Sequence, residues 1–370
     1  MFARNRRTLF RKNLLAWYRQ FQRDLPWRRT KDPYRIWISE IMLQQTRVAA
    51  VIPYYQRFLE RFPDVGALAS APQDEVLRLW SGLGYYSRAR NLQAAAKQIV
   101  ALHDGEFPRD EESVLALSGI GTYTAAAIRS IAFGAKNAVL DGNVARVLAR
   151  LGAIRGEVRE AKRWKSLQKT AGELLDPEYP GDWNQAMMEL GATVCTPRAP
   201  QCLLCPVAKF CRARQLADPE SYPEKRKKRD AVQITLAAAV FSMPRGRTLL
   251  LPPPAEKNGT PADDDVPTLV SRMWHFPTVA IRKNPDEELR TFLEQFLPDA
   301  SSLLSLEPLA KVRHAVTYRN VTVLPFRIVM PDIPQIRGAK SIRLEDFAKL
   351  PVSNLTRKIA RAALLPRQAK

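Results

Sequence analysis

The sequence predicts a mainly helical N-terminal region that ends near residue 220, followed by an α+β region from residue 232 onward. In the first region apolar residues recur at helical spacing, with short Gly or Pro breaks and no sustained strand alternation. In the second region short β-rich runs alternate with a few helical segments. A basic segment separates the two. This change of pattern is typical of a chain with two separate domains.

The N-terminal segment MFARNRRTLFRKNLLAWYRQ is basic and roughly amphipathic, which leaves a transit peptide as one interpretation. It has no uninterrupted apolar core followed by a small-residue cleavage site, so we do not expect a secretory signal. Trp17, Tyr18 and Phe21 instead predict the buried face of a first helix. The longest largely apolar run, ITLAAAVFSM from Ile234, is too short to span a bilayer. We therefore expect a soluble intracellular protein without a membrane partner.

The 370-residue chain is strongly basic, with a formal net charge of +21 from 58 Lys and Arg against 37 Asp and Glu. Solubility does not require so much positive charge. Such an excess attracts polyanions, nucleic acid first among them. A generically basic protein would carry the same charge, so composition favours nucleic acid as a partner without identifying it.

A basic linker is predicted over residues 221–231, between a first domain at 1–220 and a second at 232–370. Its sequence SYPEKRKKRD holds five consecutive basic residues and little to bury, which predicts a solvated connection. In the second domain ITLAAAVFSM, RTLLLP, HFPTVAI and VTVLPFRIVM predict strands, and EELRTFLEQFL and LTRKIARAALL predict helices. The segment PPPAEKNGTPADDDVP has no hydrophobic period and predicts a surface loop.

All the cysteines lie in one short segment, as Cys195, Cys202, Cys205 and Cys211. Disulfides in secreted proteins are usually spread through a short chain, so a metal site is favoured here. The spacing Cys-x6-Cys-x2-Cys-x5-Cys suits either tetrahedral zinc or an iron-sulfur cluster. Zinc ribbons usually have two separated Cys-x2-Cys pairs, whereas this segment has one. The spacing therefore favours an iron-sulfur cluster over zinc.

The segment LSGIGTYTAAAI predicts a hairpin turn that opens directly into a helix. Gly119 and Gly121 permit tight backbone geometry, and the exposed amides at the start of the helix form an anion site suited to a DNA phosphate. Many helical hairpins use such a turn only to reverse the chain. Further on, LDGNVARVL places Asp141 just ahead of another helix, where its simplest role is that of an N-cap.

Glu40 has an unusual apolar neighbourhood in the segment RIWISEIML. Such a carboxyl group is either a solvent-facing residue of an amphipathic helix or a partly desolvated acid with a raised pKa. A proton donor requires the second environment.

Seven motifs follow one another over about residues 25–211: LPWR, SEIMLQQTRV, GLGYYSRARNL, LSGIGTYTAAAI, LDGNVARV, NQAMMELGA and the four-cysteine segment. In this order they resemble a MutY-type adenine DNA glycosylase of the helix-hairpin-helix superfamily. The resemblance implies a 4Fe-4S cluster at the cysteines of loop 195–211. It also implies a monomeric base excision repair enzyme of the bacterial cytoplasm or eukaryotic nucleus. Its partner would be double-stranded DNA with adenine opposite 8-oxoguanine or guanine.

The resemblance divides the chemistry between two carboxyl groups. It implies that Glu40 protonates the adenine ring and later helps to position or activate water, while ionised Asp141 stabilises an oxocarbenium-like sugar. Asn143 and Tyr123 would orient this site. Lyases of the same superfamily carry a Schiff-base lysine where this chain has Tyr123, so the sequence favours a monofunctional glycosylase.

Four further residues are implied to act on the DNA. Arg28 and Glu189 match residues that contact the extruded adenine or lie in its first shell. Gln45 and Tyr85 match residues that enter the base stack when the nucleotide is flipped out. Considered alone, Gln45 also fits a helix-surface amide and Tyr85 a core aromatic.

Residues from about 232 to 370 resemble the MutT-related domain with which MutY-type enzymes inspect the base opposite adenine. MWHFP matches the tryptophan-containing strand of the family. Where the family carries a Phe-Ser-His recognition loop, this chain has Val316, Thr317 and Tyr318, and Thr317 keeps a hydroxyl that can bond the lesion. The Nudix pattern Gly-x5-Glu-x7-Arg-Glu is missing from the sequence, so we do not expect pyrophosphate hydrolysis.

Two other functions compete with this interpretation. Related helical domains support glycosylases for another mispaired base, such as thymine opposite guanine. A catalytically silent DNA-binding module is the alternative from a different class, and the presence of both carboxyl groups disfavours it.

Overall fold

The computed structural model of the chain describes residues 3–224, 230–253, 273–295, 297, 305–316, 318–331 and 336–365. The chain forms two compact units: Met1–Ser70 with Asn91–Lys227, and Ala71–Arg90 with Lys228–Lys370. The basic run at 225–229, most of the predicted loop at 252–267 and Thr317 lie outside the described residues.

The regular secondary structure of the first unit is entirely helical within its described residues, as the periodicity predicts. Its helices are α1 (Arg4–Phe21), α2 (Pro33–Leu43), α3 (Val48–Arg61), α4 (Val65–Ser70), α6 (Ser87–Leu102, whose first turn counts with the second unit), α7 (Glu111–Ala116), α8 (Thr122–Phe133), α9 (Gly142–Gly152), α10 (Ala161–Leu174), α11 (Pro180–Thr193) and α12 (Arg212–Gln215). No helix in the described ranges is both long and apolar enough to cross a membrane.

The buried face of α1 ends before the last predicted residue. Phe10, Leu14 and Tyr18 are buried, whereas Phe21 is 60% exposed, so the prediction was right for Tyr18 and wrong for Phe21. The spacing of four residues keeps Phe10, Leu14 and Tyr18 on one side of the helix. Phe21, three residues after Tyr18, lies on the same side, but it is the last residue of the helix and is left exposed.

Helix α11 forms the centre of the first unit, where it packs against α1, α8 and α9. Residues on nearly all its sides are buried, including Trp183, Met187 and Leu190. Gly191 allows the closest approach, because a Cβ atom there would lie 2.7 Å from the Cβ of Asn143. Helix α2 packs against α3 and α8. Side chains from α2, α8, α9 and α11 therefore meet within one unit.

The second unit contains α5 (Gln73–Trp80) and a five-stranded sheet in the order β3, β1, β6, β4, with β5 also paired to β6. The strands are β1 (Val232–Ser242), β3 (Thr278–Ala280), β4 (Glu307–Pro308), β5 (Val312–Val316) and β6 (Arg319–Val329), while β2 (Arg247–Leu250) pairs with β7 (Lys340–Arg343). β1 runs parallel to β6, and the other pairs are antiparallel.

Helices cover both faces of the sheet. Alternate residues of β1 point to opposite sides, so Leu236 and Val240 join the core with α14 (Asn354–Leu364), whereas Ala237 and Phe241 join the core with α13 (Pro285–Glu294). The predicted strands and both predicted helices of the second region are confirmed, and with them the α+β class.

Candidate active site

A cavity of about 470 Å³ opens in the first unit. It is lined by residues of α2, α8, α9 and α11 and by the segments before and after α2. The sequence-predicted residues that it brings together are Arg28, Glu40, Gln45, Tyr123, Asp141, Asn143 and Glu189.

Glu40 lies in the last turns of α2 and is only 6% exposed. Helix α2 begins with Pro33 behind an Asp32 N-cap, and its residues from Ile36 to Met42 are all buried. Burial of the carboxyl group raises the pKa of Glu40 to about 7, and the nearby Asp141 charge raises it further, while the Tyr123 hydrogen bond and Arg28 act in the opposite direction. Glu40 is therefore the desolvated acid rather than the solvent-facing residue.

Tyr123 stands in the first turn of α8, directly after the glycine hairpin. Its hydroxyl donates a hydrogen bond to Glu40 Oε2 over 2.9 Å and lies 3.1 Å from Met188 Sδ. Burial and the two nearby carboxyl groups raise the pKa of Tyr123 well above its usual value. The phenol therefore stays protonated and fixes the orientation of the Glu40 carboxyl group.

Asp141 is the N-cap of α9, and its Oδ1 accepts a hydrogen bond from the Val144 backbone N–H over 2.7 Å. Burial raises the pKa of Asp141, and the backbone hydrogen bonds from Val144 and Asn143 offset part of this rise. The Asn143 side-chain amide donates to Asp141 Oδ2 over 3.2 Å. Arg146 in turn donates to Asn143 Oδ1 over 2.9 Å. Asp141 thus both caps α9 and lines the cavity.

Glu189 is 1% exposed and accepts hydrogen bonds from two arginines. Arg23 contributes its backbone N–H, Nε and Nη2, at 3.1, 2.8 and 2.6 Å. Arg28 contributes Nη2 at 2.8 Å. Burial favours the neutral acid, but the hydrogen bonds from Arg23 and Arg28 outweigh it and lower the pKa of Glu189 to about 2. Four donors occupy the four lone-pair directions of this carboxylate.

Two residues of the site, Arg23 and Arg146, are not among the predicted site residues. Arg23 pairs with a glutamate 166 positions away. Arg146 bridges Asn143 to the carbonyl oxygens of Gly191 and Cys195, at 2.7 and 2.9 Å. Arg23 lies five residues before Arg28, and Arg146 lies three residues after Asn143. The sequence shows these positions but does not show the distant partners Glu189, Gly191 and Cys195.

The glycine hairpin has the geometry that its sequence predicts. Gly119 has φ +77°, and a Cβ atom there would lie 2.7 Å from the Cβ of Asn91. Gly121 is exposed at the N-cap of α8, with no atom within 4 Å of an added Cβ. The open start of a twelve-residue helix is suited to an anion.

Gln45 and Tyr85 share a strained backbone. Both have left-handed conformations, with φ of 57° and 48°, which non-glycine residues adopt rarely. Gln45 is exposed and lines the cavity just after α2. Tyr85 is 40% exposed, so it is not a core aromatic. It belongs to the second compact unit.

The four cysteines line one small cavity together with Arg150 and Arg214. Arg150 holds this loop, because its Nη1 donates to Cys195 Sγ over 3.3 Å and to the Thr196 carbonyl over 2.7 Å. Burial raises the pKa of Cys205 to about 12, and its three neighbouring thiols contribute to the rise. Within the described ranges no group of three or more His, Cys, Asp or Glu is arranged to hold a metal ion.

Comparisons with known proteins show the family to which the chain is similar. Residues 38–179 match the HhH-GPD superfamily base excision DNA repair protein family. The chain is 36% identical to adenine DNA glycosylase of Rattus norvegicus, over 96% of this chain and 78% of the relative. It is 44% identical to adenine DNA glycosylase of Homo sapiens, over 76% of this chain and 51% of the relative.

Two solved structures share the fold of part of the chain. A thermostable thymine-DNA glycosylase is 31% identical with a TM-score of 0.53, covering 57% of this chain and 98% of that one. Endonuclease III trapped as a covalent intermediate with DNA is 23% identical with a TM-score of 0.51, covering 59% of this chain and 99% of that one. At that identity the second match speaks for the fold alone.

Proposed function

Since the chain belongs to the adenine DNA glycosylase family of the HhH-GPD base excision repair superfamily, we propose that it removes adenine mispaired with 8-oxoguanine or guanine from duplex DNA. The observation that carries the proposal is the pair of carboxyl groups, Glu40 and Asp141, at one cavity. Their different environments suit an acid and a charge stabiliser.

Glu40 is the proton donor. With a pKa of about 7, a large fraction of this carboxyl group is protonated at neutral pH, in contrast to an ordinary glutamic acid. It donates its proton to a ring nitrogen of adenine. The glycosidic bond between the sugar C1′ and the base nitrogen then breaks, and its electron pair leaves with the protonated base.

Asp141 stabilises the positive charge that remains on the sugar. The hydrogen bonds from Val144 and Asn143 fix its carboxylate at the end of α9. Water then adds to C1′ and returns a proton to Glu40, which restores the acid. Tyr123 holds Glu40 in one orientation through both steps.

Glu189 acts through its arginines. Because its acceptor positions are already taken by Arg23 and Arg28, it orients these guanidinium groups at the cavity wall rather than serving as an acid. Arg28, whose side chain is 10% exposed, is the member of this group that we propose to contact the extruded base.

The product is an abasic strand that remains intact. A lyase step needs an amine nucleophile, and the described residues that line the cavity include arginines but no lysine. Tyr123 occupies the position of the superfamily's lysine and is committed to Glu40.

We propose that the cysteine loop holds an iron-sulfur cluster rather than a single metal ion. Four thiols share one small cavity, and Arg150 and Arg214 beside them compensate for the negative charge of thiolates. Cys195, Cys202, Cys205 and Cys211 would hold a 4Fe-4S cluster. When bound, the cluster cross-links residues 195–211, which otherwise contain only one short turn of 3-10 helix, at 208–210.

Duplex DNA with the mispair is the proposed partner. The hairpin amides after Gly119 suit a backbone phosphate, and the net charge of +21 attracts the duplex. Gln45 and Tyr85 would fill the stack once the nucleotide leaves it. Thr317 of the second unit would hydrogen-bond the base opposite adenine.

A single-turnover assay tests the proposal. The purified full chain is mixed in excess with duplexes that carry adenine, thymine or uracil opposite guanine or 8-oxoguanine. We expect adenine to be released fastest opposite 8-oxoguanine, with strand cleavage only after alkali and no borohydride-trapped adduct. Release of thymine but not adenine would identify a thymine glycosylase, and binding without release would identify a silent module.

A further inference from the structure

Helix α5 (Gln73–Trp80) is fixed near its start by side chains from the C-terminal part of the second unit. Asp74 accepts a hydrogen bond from Trp274 Nε1 over 3.4 Å and forms an ion pair with Lys340 Nζ at 3.6 Å. The Lys340 ammonium group also stands 4.3 Å from the centroid of the Trp274 ring. Residues at least 200 positions further along the chain therefore hold the N-terminal end of α5.

A second set of contacts fixes the other end of α5. The buried Ser81 hydroxyl donates to the Val352 carbonyl over 2.9 Å and accepts from Arg357 Nη2, also over 2.9 Å. Asn354 Nδ2 approaches the Gly82 carbonyl at 3.4 Å. Asn354 and Arg357 lie in the first turn of α14. The start of α14 thus holds the point at which α5 ends and the next turn begins.

This turn carries Tyr85, and its backbone is unusual. Gly82, Gly84 and Tyr85 all have positive φ, at 113°, 72° and 48°. Arg88, in the first turn of α6, donates to the Gly84 carbonyl over 3.0 Å, and its guanidinium carbon lies 5.6 Å from the Tyr85 ring centroid. A left-handed tyrosine is costly, so it persists only where surrounding contacts fix the chain.

We propose that Arg357 is a positioning residue for Tyr85. Through Ser81 it fixes the start of the 82–85 turn, so that α14 contributes to how the enzyme discriminates the base opposite adenine. This route is separate from residues 316–318. The inference rests on the proposed function, because Tyr85 must enter the base stack for its position to matter.

Arg357→Met is a clean test of this role. Among the described residues Arg357 Nε is buried without a hydrogen-bond partner, so methionine removes an unsatisfied donor while it keeps the aliphatic part of the side chain. We therefore expect the melting temperature to change little. The ratio of the single-turnover rates opposite 8-oxoguanine and opposite guanine should fall about 3- to 10-fold. This is a fraction of the roughly 10- to 150-fold that a charge-assisted hydrogen bond is worth, because Arg357 acts on Tyr85 only through Ser81.

A double-mutant cycle separates positioning from general effects. Arg357→Met is combined with Tyr85→Leu, and in that background it should change the ratio less than about 2-fold, because residues that act through one another are not additive. Arg361→Met is the matched control: it removes the same charge from an exposed position of α14, one turn further on, and should leave the ratio unchanged. If Arg357→Met lowers the ratio equally in the wild type and in the Tyr85→Leu background, the proposal is overturned.

A reporter that does not depend on catalysis completes the test. 2-Aminopurine beside the base opposite adenine becomes brighter when an inserted side chain unstacks it. At saturating protein, Arg357→Met and Tyr85→Leu should both reduce this signal, whereas Arg361→Met should not. Ser81→Ala should reproduce Arg357→Met if the latter does not fold. An unchanged signal in Arg357→Met and Ser81→Ala refutes the positioning role, whereas a wild type that releases no adenine refutes the proposed function itself.

Discussion

Replacing Glu40 with glutamine should stabilise the protein while it stops the reaction. Burial raises the pKa of Glu40 from 4.5 to about 7, so ionising this group in the folded chain costs free energy that ionising it in the unfolded chain does not. At pH 7 this difference amounts to about 3 kcal/mol. Glutamine has a similar volume, accepts the Tyr123 hydrogen bond and never ionises.

The effect has a definite pH dependence. Because the folded pKa of Glu40 lies above the unfolded one, the folded state keeps its proton between about pH 4.5 and 7 while the unfolded state loses it. Stability of the wild type relative to Glu40→Gln is therefore retained at pH 4.5 and lost as the pH rises to about 7. The rate of excision should also decline as the pH rises. Above pH 7 the protonated fraction of Glu40 falls about 10-fold per pH unit, and the rate should fall with it.

The experiment combines thermal unfolding and single-turnover excision at pH 5, 6, 7 and 8. For a unit of this size a gain of 3 kcal/mol corresponds to roughly 6–12 °C in melting temperature. The melting temperature of Glu40→Gln should rise by this amount at pH 7 and 8 and by much less at pH 5. Excision by Glu40→Gln should be at least about 100-fold slower at every pH. Glu60→Gln, at an exposed position of α3, is the control and should change neither the melting temperature nor the excision rate. A gain in melting temperature that is equal at pH 5 and pH 8, or near-normal excision by Glu40→Gln, would refute the reasoning.

Three further predictions follow from the same structure. Asp141→Asn should keep the N-cap acceptor and mismatch binding but slow single-turnover excision at least about 100-fold, and near-normal excision would remove Asp141 from the mechanism. The purified protein should contain iron and sulfide, and less of both in Cys205→Ser; stoichiometric zinc without iron would contradict the cluster. Thr317→Val should lower the preference for 8-oxoguanine over guanine only several-fold, as for one neutral hydrogen bond, and deletion from Ala231 should lower it further. A deletion that keeps the full preference would exclude lesion recognition by the second domain.

Periodicity predicts the helices and strands well because burial on one face imposes it. The run ITLAAAVFSM becomes β1, whose alternate residues reach the cores beneath α13 and α14. Periodicity predicts burial wrongly at Phe21. This large apolar residue lies at the end of a helix, where no neighbouring element covers it. Hydrophobicity alone does not tell a buried helix end from an exposed one.

The motifs locate most of the cavity but not what holds it together. Glu40, Tyr123 and Asp141 come from segments up to about a hundred positions apart, yet each lies in a motif of its own. Arg23 bonds Glu189, and Arg146 bonds the carbonyl oxygens of Gly191 and Cys195 as well as nearby Asn143. No local spacing marks the contacts with the distant partners. Pairings of this kind depend on how helices pack, and a single sequence does not contain that information.

The contacts of two glutamates in one cavity give a physical reason for the different roles that the resemblance implies for them. Both are almost fully buried, and burial by itself raises the pKa of each. Glu40 accepts its hydrogen bond from a neutral phenol, so burial prevails and the carboxyl group can deliver a proton near pH 7. Glu189 accepts hydrogen bonds from Arg23 and Arg28, which lower its pKa to about 2, so it is ionised near pH 7 and has no proton to give there. The arginines therefore decide which of the two is the acid, and the donors to each carboxyl group, rather than its burial, assign the roles.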